Sequence, residues 1–251
     1  MKRLRAAGCV FAEDEARLLI AAAGSAAELI GLVDRRAAGE PLEHVLGWAE
    51  FCGRRIAVDP GVFVPRRRTE FLVEAATRIL HPGGLVVDLC CGSGAVGVAL
   101  LAAVPGIELH AADIDPAAVA CARRNLAAAG GRVYAGDLFD ALPPELAGRV
   151  DVVTANVPYV PSDAVALMPP EARDHEARLA LDGGPDGLAV LRRVAAEAPG
   201  WLTAGGHLLV ETSDQQVPAA VGAFVRSGLG AEVARSSDHD STVIVGSLPR
   251  Q

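Results

Sequence analysis

The sequence predicts an α/β fold: a mostly parallel sheet with helices on both faces and an antiparallel strand pair at its end. A small helical region and a β-hairpin precede it. Three observations carry this. From residue 85 onward, short apolar runs at 85–89, 107–112, 132–135, 150–155 and 207–210 alternate with helical segments at about 94–104, 116–129 and 187–199. The last two runs, 231–235 and 242–245, are joined by residues 236–241, too few for a helix, so they pair antiparallel. Hydrophobic residues make up 51% of 251 residues, enough to bury a sizeable core.

The elements follow in order. Residues 12–23 and 25–38 have helical spacing and acidic starts, so they read as two helices. Gly39-Glu40-Pro41 ends the second. The runs 47–51 and 54–58 flank Cys52-Gly53, which reads as a β-hairpin. A helix follows Thr69, whose hydroxyl is placed to cap it. The expected division is a small helical domain at 1–45, a linking hairpin at 46–62 and a catalytic domain at 63–251.

Composition excludes several classes. No apolar run approaches the ~20 residues that span a bilayer, so no membrane helix is expected. The basic start is followed only by a short apolar stretch before Glu13-Asp14-Glu15, which is no secretory signal, and a cytoplasmic protein is expected. The five cysteines are odd in number and scattered, with neither a disulfide framework nor a CxxC pair, and no histidines cluster. No metal is expected. Residues 1–80 carry 12 Lys and Arg against 11 Asp and Glu, whereas the remainder carries 11 against 20. Nucleic-acid enzymes offset phosphate charge with a basic footprint, and the large domain has none. Arg66-Arg67-Arg68 is the one tight basic run, and a solvated helix start explains it as well as a functional patch does.

The run 85–89 leads into Cys90-Cys91-Gly92-Ser93-Gly94 and then a helix. Glycines there let a ligand approach the backbone, and the helix start offers free N–H groups. The second strand ends at Asp113, where a carboxylate can take both hydroxyls of a ribose. Asp137 follows the third strand, in position for an adenine. Gly92-Ser93-Gly94-Ala95-Val96-Gly97 also matches the dinucleotide pattern G-x-G-x-x-G, so a nicotinamide cofactor is the first rival. Two features oppose it. Asp88, four residues before the first glycine, repels a pyrophosphate but suits a cationic amino-acid moiety, and the antiparallel terminal pair suits a methyltransferase sheet. The expected cofactor is therefore S-adenosylmethionine, with S-adenosylhomocysteine as product.

After the fourth strand comes Asn156-Val157-Pro158-Tyr159, which resembles the N-P-P-Y motif of methyltransferases acting on planar nitrogens. An amide nitrogen is a poor nucleophile because its lone pair is delocalised. Acceptors on both N–H bonds orient it and favour pyramidalisation. Asn156 Oδ1 and the Val157 carbonyl can be those acceptors, while Tyr159 packs against the planar group and excludes water.

With these pieces placed, the chain resembles the peptide-release-factor glutamine methyltransferases from about Pro41 onward. The resemblance rests on Leu46-Gly47 through Phe51, Phe63-Val64-Pro65-Arg66 with Thr69-Glu70, Asp88 to Gly94, Asp113, Gly136-Asp137-Leu138-Phe139, Asn156 to Tyr159, and His175-Glu176 through Leu179-Ala180-Leu181-Asp182-Gly183-Gly184. It implies a Rossmann-like class I S-adenosylmethionine-dependent methyltransferase sheet. It further implies cofactor contacts at Asp88, Cys90, Cys91, Gly92, Ser93, Gly94, Asp113, Asp137, Leu138 and Asn156. A substrate clamp at Asn156, Val157, Pro158 and Tyr159 is implied too, with Asn156 and Tyr159 catalytic. The implied partner is a protein bearing a glutamine, such as a translation release factor. Three departures leave a shorter sister subfamily with another substrate open: Cys90 for glycine, Val157 for proline, and two N-terminal helices where the family has a longer bundle.

Two rivals remain: an adenine-N(6)-type nucleic-acid methyltransferase, which the acidic large domain disfavours, and a non-catalytic nucleotide-cofactor-binding protein. Arg66 and Glu70 either close over the cofactor or form a loop ion pair. Glu176 is expected to be a surface acid rather than an ordering group, Trp48 and Phe51 to pack the hairpin on the domain, and Cys91 to be a buried filler. His175 and His239 have no identifiable partner in the sequence.

Overall fold

A computed structural model describes residues 1–250. Its first elements are α1 (Lys2–Ala6), α2 (Ala12–Ala22), α3 (Ala26–Ala37) and α4 (Leu42–Leu46). There are four helices rather than two, because α1 and α4 are single turns too short to show a period in the sequence. Ser25 caps α3 by accepting from the Glu28 N–H at 3.1 Å, and Glu28 reaches back to the Gly24 N–H at 2.8 Å. Leu4, Ala12, Ala16, Leu19 and Val45 form a small core of their own.

The hairpin pairs β1 (Trp48–Phe51) with β2 (Arg54–Ala57). Cys52 and Gly53 both have positive φ, at 48° and 67°, the requirement of a tight primed turn. Phe51 and Ile56 enter the main core, and Ala49 and Val58 pack with Ala118 and Cys121.

The remaining elements are α5 (Glu70–Thr77), β3 (Leu85–Leu89), α6 (Ala95–Ala103), β4 (Glu108–Asp113), α7 (Pro116–Ala127), β5 (Arg132–Ala135), β6 (Val150–Ala155), α8 (Pro170–His175), α9 (Ala189–Trp201), β7 (Leu202–Thr212), α10 (Val217–Arg226), β8 (Gly230–Ser236) and β9 (Ser241–Ser247). The seven-stranded sheet runs β5-β4-β3-β6-β7-β9-β8. The first five are parallel to one another, while β9 runs antiparallel to both β7 and β8. The α/β class and its antiparallel end are as the sequence predicts.

Alternation along the strands fills two cores. Leu85, Val87 and Leu89 of β3 face Leu191, Val194 and Phe224 of α9 and α10. Val86 faces Leu72 of α5, Leu100 of α6 and Leu126 of α7. A sheet buried on both faces demands such continuous apolar strands. The sequence reading has no helix at 217–226, although Pro218 in its first turn is a start signal. Among the described residues, no helix is long and apolar enough to cross a membrane.

Register places the site. Leu89 lies opposite Ala112 and Ala155, Asp113 opposite Ala135, and Ala155 opposite Val210. The residues after each strand therefore gather along one sheet edge. The order reverses between β3 and β6, where an open α/β sheet forms its crevice.

Candidate active site

A cavity of about 770 Å³ opens along that edge, within the ~300–1,000 Å³ typical of small-molecule sites. Among the residues lining it are Asp88, Cys90, Cys91, Gly92, Ser93, Asp113, Asp137, Leu138, Asn156, Val157, Pro158 and Tyr159. All the residues expected to hold cofactor or substrate line it, except Gly94.

The turn after β3 is strained to stay open. Cys90 and Gly92 have φ of 53° and 55°, a region costly for cysteine. A Cβ on Gly92 would meet nothing within 4 Å. Gly94 is the N-cap of α6, and Gly97 lets that helix lie on β4, where a Cβ would come 2.7 Å from Leu109 Cδ2. Cys91 is buried.

Two carboxylates flank the turn. Asp88 is 1% exposed, accepts from the Thr154 hydroxyl at 2.9 Å, and leaves Oδ2 with no partner. Burial pushes its pKa up to about 7, against the pull of that hydroxyl. Asp113 accepts from the Gly92 N–H at 2.8 Å through Oδ2 and from the Asp115 N–H at 2.9 Å through Oδ1. Burial raises its pKa as well, and these backbone donors oppose the rise. Each oxygen keeps a lone pair, so the pair can accept from two adjacent hydroxyls. Asp137 lies farther along the edge and is held by Arg193 at 2.9 and 3.1 Å. Leu138, at φ 49°, walls the cavity beside it.

Asn125 escaped the sequence reading. Its Nδ2 donates to the carbonyls of Ser93 (2.8 Å) and Ala57 (2.9 Å), and its Oδ1 accepts from the Ala57 N–H at 3.0 Å. One helical side chain thus ties the turn to the hairpin. An uncharged polar residue in the alanine-rich α7 was the available signal.

Beyond β6, Asn156 Nδ2 donates to Thr69 Oγ1 at 3.3 Å. Among the described residues, neither Asn156 Oδ1 nor the Val157 carbonyl receives a hydrogen bond. Thr69 makes no helix-capping bond, contrary to expectation: its backbone is already helical, so its hydroxyl turns to Asn156 instead. Tyr159 lies under the Arg68 guanidinium, 5.4 Å from its ring centroid, and burial pushes its hydroxyl up to about 12.

The segment 181–187 packs behind these four residues. The Val160 N–H donates to the Leu181 carbonyl at 3.0 Å and the Gly183 N–H to the Val160 carbonyl at 2.8 Å. A Cβ on Gly183 would lie 2.5 Å from the Pro158 carbonyl oxygen, and one on Gly187 would lie 2.2 Å from that of Tyr159. Gln216, also missed in the sequence, donates to the Tyr159 carbonyl at 2.9 Å. The glycines are needed so that one backbone can touch another.

Two sequence expectations are corrected here. Arg66 forms no ion pair with Glu70: it binds both oxygens of Glu176 at 2.6 and 2.7 Å. Glu176 is no surface acid but 6% exposed, and it also accepts from the Val64 N–H at 3.2 Å. Glu70 instead accepts from the Cys52 N–H at 2.8 Å. His239, without an assigned partner in the sequence, stacks on Phe71 and comes within 3.8 and 3.6 Å of Glu70 and Glu74. Farther out, Arg36 of α3 grips Glu15 at 2.8 and 3.1 Å and reaches Glu171 of α8, a cavity-lining residue, at 2.7 Å. No group of three potential metal ligands occurs among the described residues.

A family model described as "Methyltransferase small domain" matches residues 53–227. A release factor glutamine methyltransferase of Geobacter sulfurreducens is 40% identical over 200 residues, covering 79% of this chain and 69% of its own. One of Mycolicibacterium smegmatis is 41% identical over 213 residues, covering 84% and 74%. Among solved structures, a methyltransferase from Pyrococcus furiosus aligns with a TM-score of 0.59 at 16% identity, over 79% of this chain and 91% of that one, a likeness of fold.

Proposed function

Because the chain belongs to the methyltransferase small domain family, and within it to the release factor glutamine methyltransferases, we propose that it methylates a glutamine side-chain amide of a protein substrate. The substrate we favour is a translation release factor. One observation carries the reading: Asn156 Oδ1 and the Val157 carbonyl, which receive no hydrogen bond among the described residues, border a cavity also lined by Asp88, whose Oδ2 has no partner among them.

The residues fit S-adenosylmethionine. Asp88 Oδ2, buried and partnerless, suits the amino group of its methionine moiety. The spare lone pairs of Asp113 suit a ribose diol, the open side of Gly92 leaves room for the chain between them, and Asp137 and Leu138 border the adenine end. When bound, the cofactor supplies a methyl group made electrophilic by a sulfonium.

The chain's own residues do the rest. Asn156 Oδ1 and the Val157 carbonyl accept the two N–H bonds of the incoming amide and fix the nitrogen in place. Both dipoles point where positive charge grows as that nitrogen pyramidalises, so they are worth more in the transition state than before it. Tyr159 covers the planar group and keeps water out. The nitrogen then sheds one proton, and a strong base is not needed because the proton leaves a cation. Val157 keeps the backbone acceptor but lacks the fixed φ of proline. Residues 1–45 are proposed as a separate helical unit and 46–62 as its link to the catalytic domain at 63–251.

The test is tritiated methyl transfer to a purified bacterial release factor and to RNA, with mass spectrometry of the product. Label on a release-factor glutamine is expected; label on RNA alone would overturn the reading. Calorimetry with S-adenosylhomocysteine and NAD checks the cofactor, and only the first should bind.

Two further outcomes are expected. Asp113→Ala should weaken S-adenosylhomocysteine binding by about 1–3 kcal/mol, the value of a lost charge-assisted pair, as read by calorimetry. The second concerns pH. Asp88 is protonated more readily in the fold than in the unfolded chain, so the free protein loses stability as pH rises through about 7. A cationic ligand needs the ionised form. S-adenosylmethionine should therefore bind up to roughly tenfold more tightly at pH 8 than at pH 6, with proton release. Flat affinity across that range would show that Asp88 does not meet the ligand's positive charge.

A further inference from the structure

Asn156 can serve as an acceptor only if its carbonyl oxygen, and not its NH2, faces the incoming amide. Nothing in an asparagine chooses between the two, and a lone hydroxyl neighbour does not choose either, since it can donate to Oδ1 or accept from Nδ2. We propose that Glu211, acting through Thr69, makes the choice, so that both are positioning residues for Asn156. This rests on the reading of Asn156 as the amide acceptor.

The two positioning residues are buried. Glu211 is 2% exposed near the end of β7, just beyond the Ala155–Val210 pairing that brings it beside Asn156. Its Oε1 lies 3.2 Å from Arg68 Nε, and its Oε2 is buried without a partner. Thr69 is 3% exposed; its hydroxyl lies 3.3 Å from Asn156 Nδ2 and within reach of the Glu211 carboxylate, whose pKa it pulls down, and its chain neighbour Arg68 meets Glu211.

The chain of donors then has one polarity. Burial raises the pKa of the Glu211 carboxyl and the Arg68 guanidinium beside it opposes the rise; once ionised, it only accepts. A buried orphan oxygen costs enough that the single Thr69 proton goes to it. Thr69 then offers Asn156 nothing but lone pairs, which only an NH2 group can use. The amide is turned with Nδ2 inward and Oδ1 to the cavity. A flipped amide would set N–H against the substrate's N–H. Arg68 also lies over Tyr159, so the same ion pair steadies that ring.

Three variants test this. Thr69→Ser keeps the proton and should hold kcat within about twofold of the parent. Thr69→Val keeps the volume but removes the relay. Glu211→Gln keeps the shape but gives Thr69 a donor, which frees its proton for Asn156 Oδ1. These two should each lower kcat on a bacterial release factor by roughly 10- to 100-fold, the effect of one polar group withdrawn from a reaction site. S-adenosylhomocysteine affinity should stay within about threefold, and thermal melting checks that each variant folds. The second readout needs no turnover. By NMR, the Asn156 side-chain NH2 should exchange slowly with water in the parent and Thr69→Ser, and quickly in Glu211→Gln.

Parental kcat with unchanged NH2 exchange in Glu211→Gln would overturn the proposal. So would a fall in Thr69→Ser as deep as in Thr69→Val. If the parent methylates no release factor, the substrate assignment fails, yet the exchange comparison still decides the orientation of Asn156.

Discussion

Asn156→Ala should lower kcat by about 10²–10³-fold while S-adenosylhomocysteine affinity stays within a few-fold. The size follows from what is removed. Alanine takes away one of two preorganised acceptors, and a single such group in a water-excluded site is worth about that much. The selectivity follows from position. Asn156 stands beyond β6, whereas Asp88 lies in β3 and Asp113 ends β4, so most of the proposed cofactor contacts survive. Single-turnover kinetics beside calorimetry separates the two effects. A variant that lost cofactor affinity but kept its rate would reverse the assigned roles.

The second large effect is on stability. Arg36→Met should destabilise the protein by about 3–5 kcal/mol, as a broken buried ion pair does. Arg36 is 7% exposed and meets Glu15, also buried, through two bonds, with a third to the Glu40 carbonyl at 3.0 Å. Methionine fills the space but leaves Glu15 without a countercharge. Adding Glu15→Gln should recover part of the loss, as expected for two residues in direct contact. Urea unfolding measures both variants. Hydrogen exchange should locate the loosening in α1 to α4, whose small core is separate from those of the sheet. A cost below about 1 kcal/mol would mean that the buried pair between α2 and α3 carries little.

The sheet was legible because its strands announce themselves. Leu85-Val86-Val87 and Val150-Asp151-Val152-Val153 are apolar on both faces, and only a doubly covered strand reads that way. The cofactor turn and Asn156 to Tyr159 were legible because each follows directly on such a strand. What escaped was long-range. Glu176 reads as a surface acid because a glutamate in a loop usually is one. Its burial depends on Arg66 and Val64, far back in the chain. Thr69 has the look of a helix cap until Asn156 is brought across from β6. Glu211 follows the apolar run Leu208-Leu209-Val210 of β7, and nothing near it in sequence names Thr69 as its neighbour. Gly183 belongs to the resemblance, but its reason, like that of Gly187, is a carbonyl across the loop, of Pro158 and Tyr159 in turn.

The order β7-β9-β8 also bears on how the protein is made. The final strand is threaded between two that precede it, and β8 pairs with nothing else in the sheet. While residues 213–247 are still being synthesised, at about 5–20 residues per second, β7 waits for some seconds with a bare edge. During that interval its row of unsatisfied backbone groups is open to any passing strand. A nascent chain stalled before Ser241 therefore presents two sticky segments rather than one, and a holding chaperone would find its target there.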